Sequence, residues 1–258
     1  MRPKEIKKII EEARKKFEVD LKCEAYHKIT ANDQQLDKII STSKTENGKS
    51  YLDIGTGNGY VAFELAKKYP QSKITGIDIA ESVITVNNQK ANQYGLKHLQ
   101  FQSFQGKELP FSNKSFDGIF SRYSFHHFPM PLLSIQEIFR VTKDNGFCFI
   151  TDPTIDEGDN TNFVNEYSKL RNDGHIKYYK EEELSEMFNR NGFRLESIFY
   201  DEISFPRISD DRYEALLNRT PVTIKEGYKI RRIENEVYIT LKVMNVLFRK
   251  QDGLTHCC

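Results

Sequence analysis

The sequence contains no tryptophan and only four cysteines, Cys23, Cys148, Cys257 and Cys258. Their spacing matches neither a set of metal ligands nor the disulfide framework of a small secreted domain. Cys148 stands in an apolar run and reads as a small core residue. The final pair does not form a prenylation box, which needs a cysteine in the fourth position from the end. No apolar run approaches the ~20 residues of a membrane span, and the N-terminus lacks a signal-peptide core. No membrane partner is expected, and a cytoplasmic location with reduced thiols is. An excess of charge of one sign is also missing: 38 Lys and Arg oppose 37 Asp and Glu, a net +1. Binding to nucleic acid calls for a basic excess or stripe, so none is expected. The one basic stretch, Lys4 to Lys16, is interrupted by Glu5, Glu11 and Glu12 and reads as a solvated helix face. Repeats and low-complexity segments are absent.

What is present is an alternation of short apolar runs and helical patterns. Ile6, Ile9, Ile10, Ala13 and Phe17 have helical spacing, and a second helix is expected around Gln34 to Ile40. From Ser50 the pattern becomes strand, turn, helix, repeated. Strands are expected at Tyr51–Ile54, Ile74–Ile79, Leu99–Phe104, Phe116–Ser121 and Phe147–Thr151, with helices at Tyr60–Tyr69, Glu81–Tyr94 and Leu132–Val141 between them. Such alternation implies βαβ units and a parallel sheet, whose ligands bind beyond the carboxyl ends of the strands. Past Pro153 come helical stretches at 162–172, 181–191 and 211–218 and two late strands, Arg194–Phe205 and Glu236–Phe248. The expected organisation is an N-terminal helical cap over 1–46, a ligand-binding core over 47–152, and a segment over 153–258 that completes the sheet and supplies a lid.

Two features carry chemistry. Leu52-Asp53-Ile54-Gly55-Thr56-Gly57-Asn58-Gly59 is a strand, a glycine-rich turn and a helix start. Glycines let the chain turn sharply and let a ligand approach the backbone. The spacing is G-x-G-x-G, whereas dinucleotide folds use G-x-G-x-x-G. Asp53 repels a pyrophosphate but suits a cationic amino-acid head, which argues for a ligand carrying an ammonium group. Asp78 ends the second strand, 25 residues after Asp53. In nucleotide folds a ribose-binding acid lies ~20 residues beyond the glycine turn. The competing reading of Asp78 is a cap for the helix that starts near Glu81.

Asp53 to Gly59 together with Gly76-Ile77-Asp78 resembles the class I S-adenosylmethionine-dependent methyltransferases. Glu108-Leu109-Pro110-Phe111, Ser115-Phe116-Asp117, His126-His127-Phe128 and Glu137-Ile138-Phe139-Arg140-Val141 are similar to the branch that includes the ubiquinone/menaquinone-biosynthesis methyltransferases, a methyltransferase type 11 domain. The resemblance covers about residues 25–152. It implies an α/β fold, a doubly wound, mostly parallel, Rossmann-like seven-stranded sheet with helices on both faces. It implies S-adenosyl-L-methionine as cofactor, with Gly55, Thr56, Gly57 and Gly59 around the methionine part, Asp53 at its amino group, Asp78 on the ribose and Ile79 against the adenine. Many relatives have Asp before the Leu-Pro-Phe element to hold the adenine amino group. Counting back from Leu109 places Gln105 there, with Ser103 as a rival, and a Gln carbonyl can accept the same hydrogen bond. Tyr26 matches a position that can close over the cofactor, or packs in the core.

Ser121, Arg122 and Tyr123, then His126 and His127, follow the fourth strand, on the rim facing the transferred methyl; Ser121 is counted with the cofactor and Tyr123 with the acceptor. Methyl transfer from a sulfonium expels a neutral leaving group, so no acid is required, and orientation can supply ~7–11 kcal/mol. A base is needed only if the acceptor must lose a proton. His126, His127 or His175 could serve, while a structural role for His126 and His127 is the alternative. Arg171 and His175 are four apart and can share a face, lining a pocket for an anionic or polar acceptor or forming a surface pair. The expected function is methyl transfer to oxygen, nitrogen or carbon of a small-molecule acceptor. The alternatives are a non-catalytic cofactor-binding regulatory or partner protein and a nucleotide-dependent oxidoreductase. Asp78→Ala is expected to weaken cofactor binding and leave the fold intact.

Overall fold

The structure is a computed structural model that describes residues 3–20, 28–106 and 108–251. Pro3–Asp20 forms α1 and Asp33–Thr42 forms α2, which Asn32 caps by accepting the Gln35 N–H at 3.0 Å. The alternating part follows: β1 Ser50–Ile54, α3 Tyr60–Lys68, β2 Lys73–Asp78, α4 Glu81–Gln93, β3 Leu99–Ser103, β4 Phe116–Arg122, a 3-10 turn Phe125–His127, α5 Pro131–Val141 and β5 Thr142–Pro153. The remainder is α6 Phe163–Lys169, α7 Glu181–Arg190, β6 Phe193–Ile208, α8 Asp211–Arg219, α9 Val222–Gly227, β7 Arg231–Ile233 and β8 Glu236–Lys250.

The strands lie in the order β3-β2-β1-β4-β5-β8-β6. The first five are parallel, and β8 runs antiparallel between β5 and β6. Side chains alternate across each strand, as a pleat requires. Leu52, Ile54, Ile119, Cys148 and Ile150 face one way, where Ile135, Ile138, Leu184 and Phe188 of α5 and α7 cover them. Tyr51, Phe120, Phe147 and Phe149 face the other way, under Leu36, Ile39, Val61, Leu65 and Ile84 of α2, α3 and α4. Both faces are covered, which is why the parallel strands read as near-continuous apolar runs.

The sheet has one strand more than expected. β8 continues past the end of β5, which stops where Pro153 pairs with Val243. Its first residues keep β6 on one side and gain β7 on the other, with Ile233 opposite Glu236 and Arg231 opposite Tyr238. The added strand satisfies an edge that β5 leaves bare. On this overhang α6, α8 and α9 build a separate apolar cluster that includes Tyr167, Tyr213, Leu217, Tyr228, Ile239 and Leu241.

Phe188 of α7 stacks on Phe248 of β8, rings 4.1 Å apart and 5° from parallel, and meets Phe193 at 5.5 Å. It is fully buried. Phe188→Ala is expected to lower the unfolding free energy by about 3–5 kcal/mol, measured by urea titration, because the ring leaves a cavity that its neighbours cannot fill.

Among the described residues no helix is long and apolar enough to cross a membrane.

Candidate active site

The crossovers from β1 run toward β3 and those from β4 run toward β5, so the loops diverge at the carboxyl ends of β1 and β4. A crevice forms at such a reversal. Here it is a cavity of about 140 Å³ lined by the glycine turn, Asp53, Asp78 and the loop after β4. The turn is fixed from several sides. The N–H groups of Gly55 and Thr56 both donate to the Ile77 carbonyl, at 2.9 and 3.0 Å. The Gly57 N–H donates to Asp78 Oδ2 at 3.0 Å, and its carbonyl accepts from Asn87 Nδ2 at 2.7 Å. Gly55 has φ +69°, and a Cβ on it would stand 1.9 Å from Ser124 Oγ. Only glycine permits both the left-handed backbone and the approach of that loop.

Asp53 is 1% exposed and accepts from Thr56 Oγ1 at 2.7 Å. Burial pushes its carboxyl up to about 7, against the pull of the Thr56 hydrogen bond and with a small push from Asp78. Asp78 is also buried, and burial holds it above the usual carboxylate range although Ala80 and Gly57 donate backbone N–H groups to it. It thus braces the turn that leads into α4, whose N-cap is Ala80, and forms a wall of the cavity. Arg122, on the same wall, is committed elsewhere. It donates to the Thr30 carbonyl at 2.6 Å and twice to Gln35 Oε1, and it lies against the rings of Tyr60 and Tyr123. The floor of the cavity therefore presents two desolvated carboxyl groups with no matching cation in contact among the described residues, an environment that favours a positively charged guest.

The roof is α1, through Ile10, Ala13 and Phe17, with Phe17 edge-on to the His127 ring at 4.9 Å. These side chains were legible as an apolar helix face, but nothing in the spacing separates a cavity roof from core packing. Asp53, Gly55, Thr56, Gly57, Asp78, Ile79, Tyr123 and His127 come together around the cavity. Three expected residues do not. Gly59, at φ +82°, precedes α3 and faces Phe63 and Phe101. Gln105 is exposed, between Phe104 and Gly106, which do line the cavity. Ser121 is buried within β4 opposite Ile150, and its hydroxyl has no hydrogen-bond partner. Ser124 takes the position at the cavity instead, because the left-handed Tyr123 (φ +54°) turns the chain back over Gly55. Tyr26 lies outside the described residues.

A second cavity, about 30 Å³, adjoins the first and shares Tyr123 and His127 with it; His126, Arg171 and His175 line it. His126 is a clamp. Its Nδ1 is 2.6 Å from Asp152 Oδ1, its backbone N–H donates to Asp152 Oδ2 at 2.8 Å, and its carbonyl accepts from Ile176 at 2.9 Å. His175 Nε2 is 2.9 Å from Asn165 Oδ1. Burial, with the neighbouring histidines, pushes His175 down to about 2. Burial and then His126 push His127 down to about 3. Both rings are neutral at neutral pH and weakly basic. The Nδ1 of His127 is buried and has no hydrogen-bond partner among the described residues.

Residues 45–192 match the family model of the methyltransferase domain. The chain belongs to that family. This methyltransferase is 30% identical over 177 residues to the uncharacterized methyltransferase YcgJ of Bacillus subtilis, covering 66% of this chain and 67% of that protein. It is 28% identical over 109 residues to the demethylmenaquinone methyltransferase of Geobacillus stearothermophilus, covering 42% of this chain and 47% of the relative. The chain thus spans about half the length of that enzyme. Among solved structures, YcgJ superposes with a TM-score of 0.74 at 24% identity, covering 86% of this chain and all of the other. A Haemonchus contortus phosphoethanolamine N-methyltransferase in complex with phosphomonomethylethanolamine and S-adenosylhomocysteine gives 0.62 at 18% identity, covering 85% of this chain and 53% of the other. At these identities the likeness is one of fold.

Proposed function

We propose that this methyltransferase binds S-adenosyl-L-methionine in the larger cavity and transfers its methyl group to a small-molecule acceptor. One observation carries the reading: two buried carboxyl groups, Asp53 and Asp78, flank a glycine turn whose backbone is already fixed. The residues fit the group. Asp53 would take the ammonium, Asp78 retains lone pairs for the ribose hydroxyls beyond its two backbone donors, and Ile79 and Phe104 offer apolar walls. Bound there, the cofactor supplies an electrophilic methyl on a sulfonium.

The chain's own contribution is orientation and exclusion of water. The turn is held at both the N–H and the carbonyl of Gly57, so little rearrangement is needed on binding. The α1 roof closes the site from solvent with apolar side chains, and a well-oriented pair of reactants gains ~7–11 kcal/mol over a free encounter. His127 is uncharged at neutral pH and can accept a hydrogen bond from the acceptor. With its basicity lowered so far it orients a donor rather than storing a proton, which favours an acceptor atom that is nucleophilic without prior deprotonation. His126, tied to Asp152, positions this loop.

The test is a thermal-shift titration with S-adenosylhomocysteine beside NAD and ATP. A ligand at a hundred times its Kd adds ~2.7 kcal/mol, a shift of several degrees. A rise with S-adenosylhomocysteine alone supports the reading; no rise, or an equal rise with NAD, overturns it. The same binding is expected to depend on pH. Free Asp53 titrates near about 7, and an ammonium partner needs the carboxylate, so binding releases a proton. Affinity should fall as pH drops through that value, approaching tenfold per pH unit below it. Calorimetry in buffers of different ionisation enthalpy reads the proton directly.

A further inference from the structure

We propose that Arg122 receives the carboxylate of the cofactor's amino-acid head, beside the Asp53 carboxyl that would take its ammonium. The inference rests on the methyltransferase reading and adds the half of the head which that reading leaves unassigned.

Asp53 and Phe120 are partners in the ladder between β1 and β4, and side chains return to the same face every second residue. Arg122 therefore leaves β4 on the face of Asp53, two residues nearer the carboxyl end, and both residues line the larger cavity. The guanidinium is fixed before any ligand arrives. It lies against the rings of Tyr60 and Tyr123, 4.9 and 4.3 Å from their centroids. Its Nε and Nη2 donate to Gln35 Oε1 at 3.1 and 2.9 Å, and Nη2 also donates to the Thr30 carbonyl at 2.6 Å. Both acceptors are neutral. Among the described residues Nη1 has no hydrogen-bond partner and no carboxylate pairs with the guanidinium. Gln35 Nε2 donates to Asp201 at 3.3 Å, so the carboxylate on that side meets the amide.

A guanidinium keeps its proton in any setting, so Arg122 is a permanent positive charge on the cavity wall. Burial raises the Asp53 carboxyl, and Arg122 pulls it down only weakly, which puts the two groups in electrostatic range without pairing them. A carboxyl and a separate guanidinium on one face suit a zwitterion. An α-amino acid carries both charges on a single carbon, an ammonium for Asp53 and a carboxylate for Arg122. A phosphate dianion fits poorly, since only Nη1 is left to receive it and Asp53 and Asp78 stand on the same cavity. Charge-assisted hydrogen bonds from a guanidinium are roughly twice as strong as neutral ones, and the bracing of Nε and Nη2 leaves little side-chain freedom to lose.

The experiment is calorimetric titration of the protein with S-adenosylhomocysteine, decarboxylated S-adenosylhomocysteine and methylthioadenosine. Decarboxylation keeps the ammonium and removes the carboxylate; methylthioadenosine lacks both. The wild type is expected to bind S-adenosylhomocysteine at least ~10-fold more tightly than the decarboxylated form, the worth of a hydrogen bond to a charged group. Arg122→Gln should weaken S-adenosylhomocysteine by about that factor and leave the other two ligands as in the wild type, so that the preference disappears; Arg122→Lys should restore part of it. Arg122 also ties Thr30 and Gln35 to β4, and a purely structural role would weaken all three ligands together. That pattern, equal binding of the two homocysteine forms by the wild type, or a preference that survives Arg122→Gln would each overturn the proposal. The wild-type comparison decides even where Arg122→Gln fails to fold. Absence of binding by all three ligands is a different result: there the cofactor reading fails, and the proposal with it.

Discussion

Replacing Asp53 with asparagine is expected to yield a protein that resists heat better than the wild type and has lost its cofactor. The carboxyl is buried and burial lifts it from 3.8 to about 7. Because the folded-state value lies above the unfolded one, the contribution of this group is fully present below the unfolded value and is lost as pH rises through the folded one. At pH ~8 the native state therefore carries a desolvated charge that the unfolded state hydrates freely. That rise corresponds to at most ~4 kcal/mol. An asparagine resembles the protonated acid in size and can still accept from Thr56. Asp53→Asn should raise the unfolding free energy by about 1–4 kcal/mol at pH ~8, with the gain shrinking toward pH ~4. The same change removes the charge that would pair with an ammonium, and S-adenosylhomocysteine should bind at least ~10-fold more weakly, since hydrogen bonds to charged groups are worth ~1.5–3 kcal/mol. An unchanged melting curve at high pH would show that Asp53 is not the strained group described here; unchanged affinity would remove it from the cofactor site.

Asp78 should behave in the opposite way. Asp78→Ala is expected to leave the fold intact but less stable, because its two oxygens accept the backbone N–H groups of Gly57 and Ala80 at 3.0 Å each. Truncation orphans those donors in a buried place, and the ligand-free protein should lose about 1–3 kcal/mol. Release of the glycine turn then compounds the loss of the proposed ribose contact. Asp78→Asn separates the two effects. It keeps one acceptor for the backbone, so the ligand-free melting point should fall less, yet S-adenosylhomocysteine should still bind at least ~10-fold more weakly because the charge-assisted contact is gone. Thermal shift with and without S-adenosylhomocysteine reads both quantities. If Asp78→Asn binds as tightly as wild type, Asp78 is a brace for the backbone and nothing more.

Much of the parallel half of the sheet was legible because each strand is an apolar run between turn signals, and the crossovers allow one hand. The glycine turn was legible because a left-handed backbone pressed against Ser124 admits only glycine at Gly55, and the two aspartates because they lie at the ends of the strands on either side of it. β7 was not: Arg231, Arg232 and Ile233 are all exposed and carry no pattern. Ser124 was missed in favour of Ser121 because the positive φ at Tyr123 redirects the chain just past the strand, and no count along the sequence shows that turn.

The place of β8 has a consequence for biogenesis. It is the last strand described, yet it lies inside the sheet, bonded to β5 on one side and to β6 on the other. While the ribosome is still making residues before 236, β5 has a bare edge and β6 has no neighbour to join. The half-made sheet must wait with unpaired, strongly apolar strands, the state in which nascent chains stick to one another or recruit chaperones. Completion is a single late insertion, of β8 between β5 and β6. The crevice at the ends of β1 and β4 and the overhang built on β8 therefore reach their final packing together, once residues 236–250 have been made.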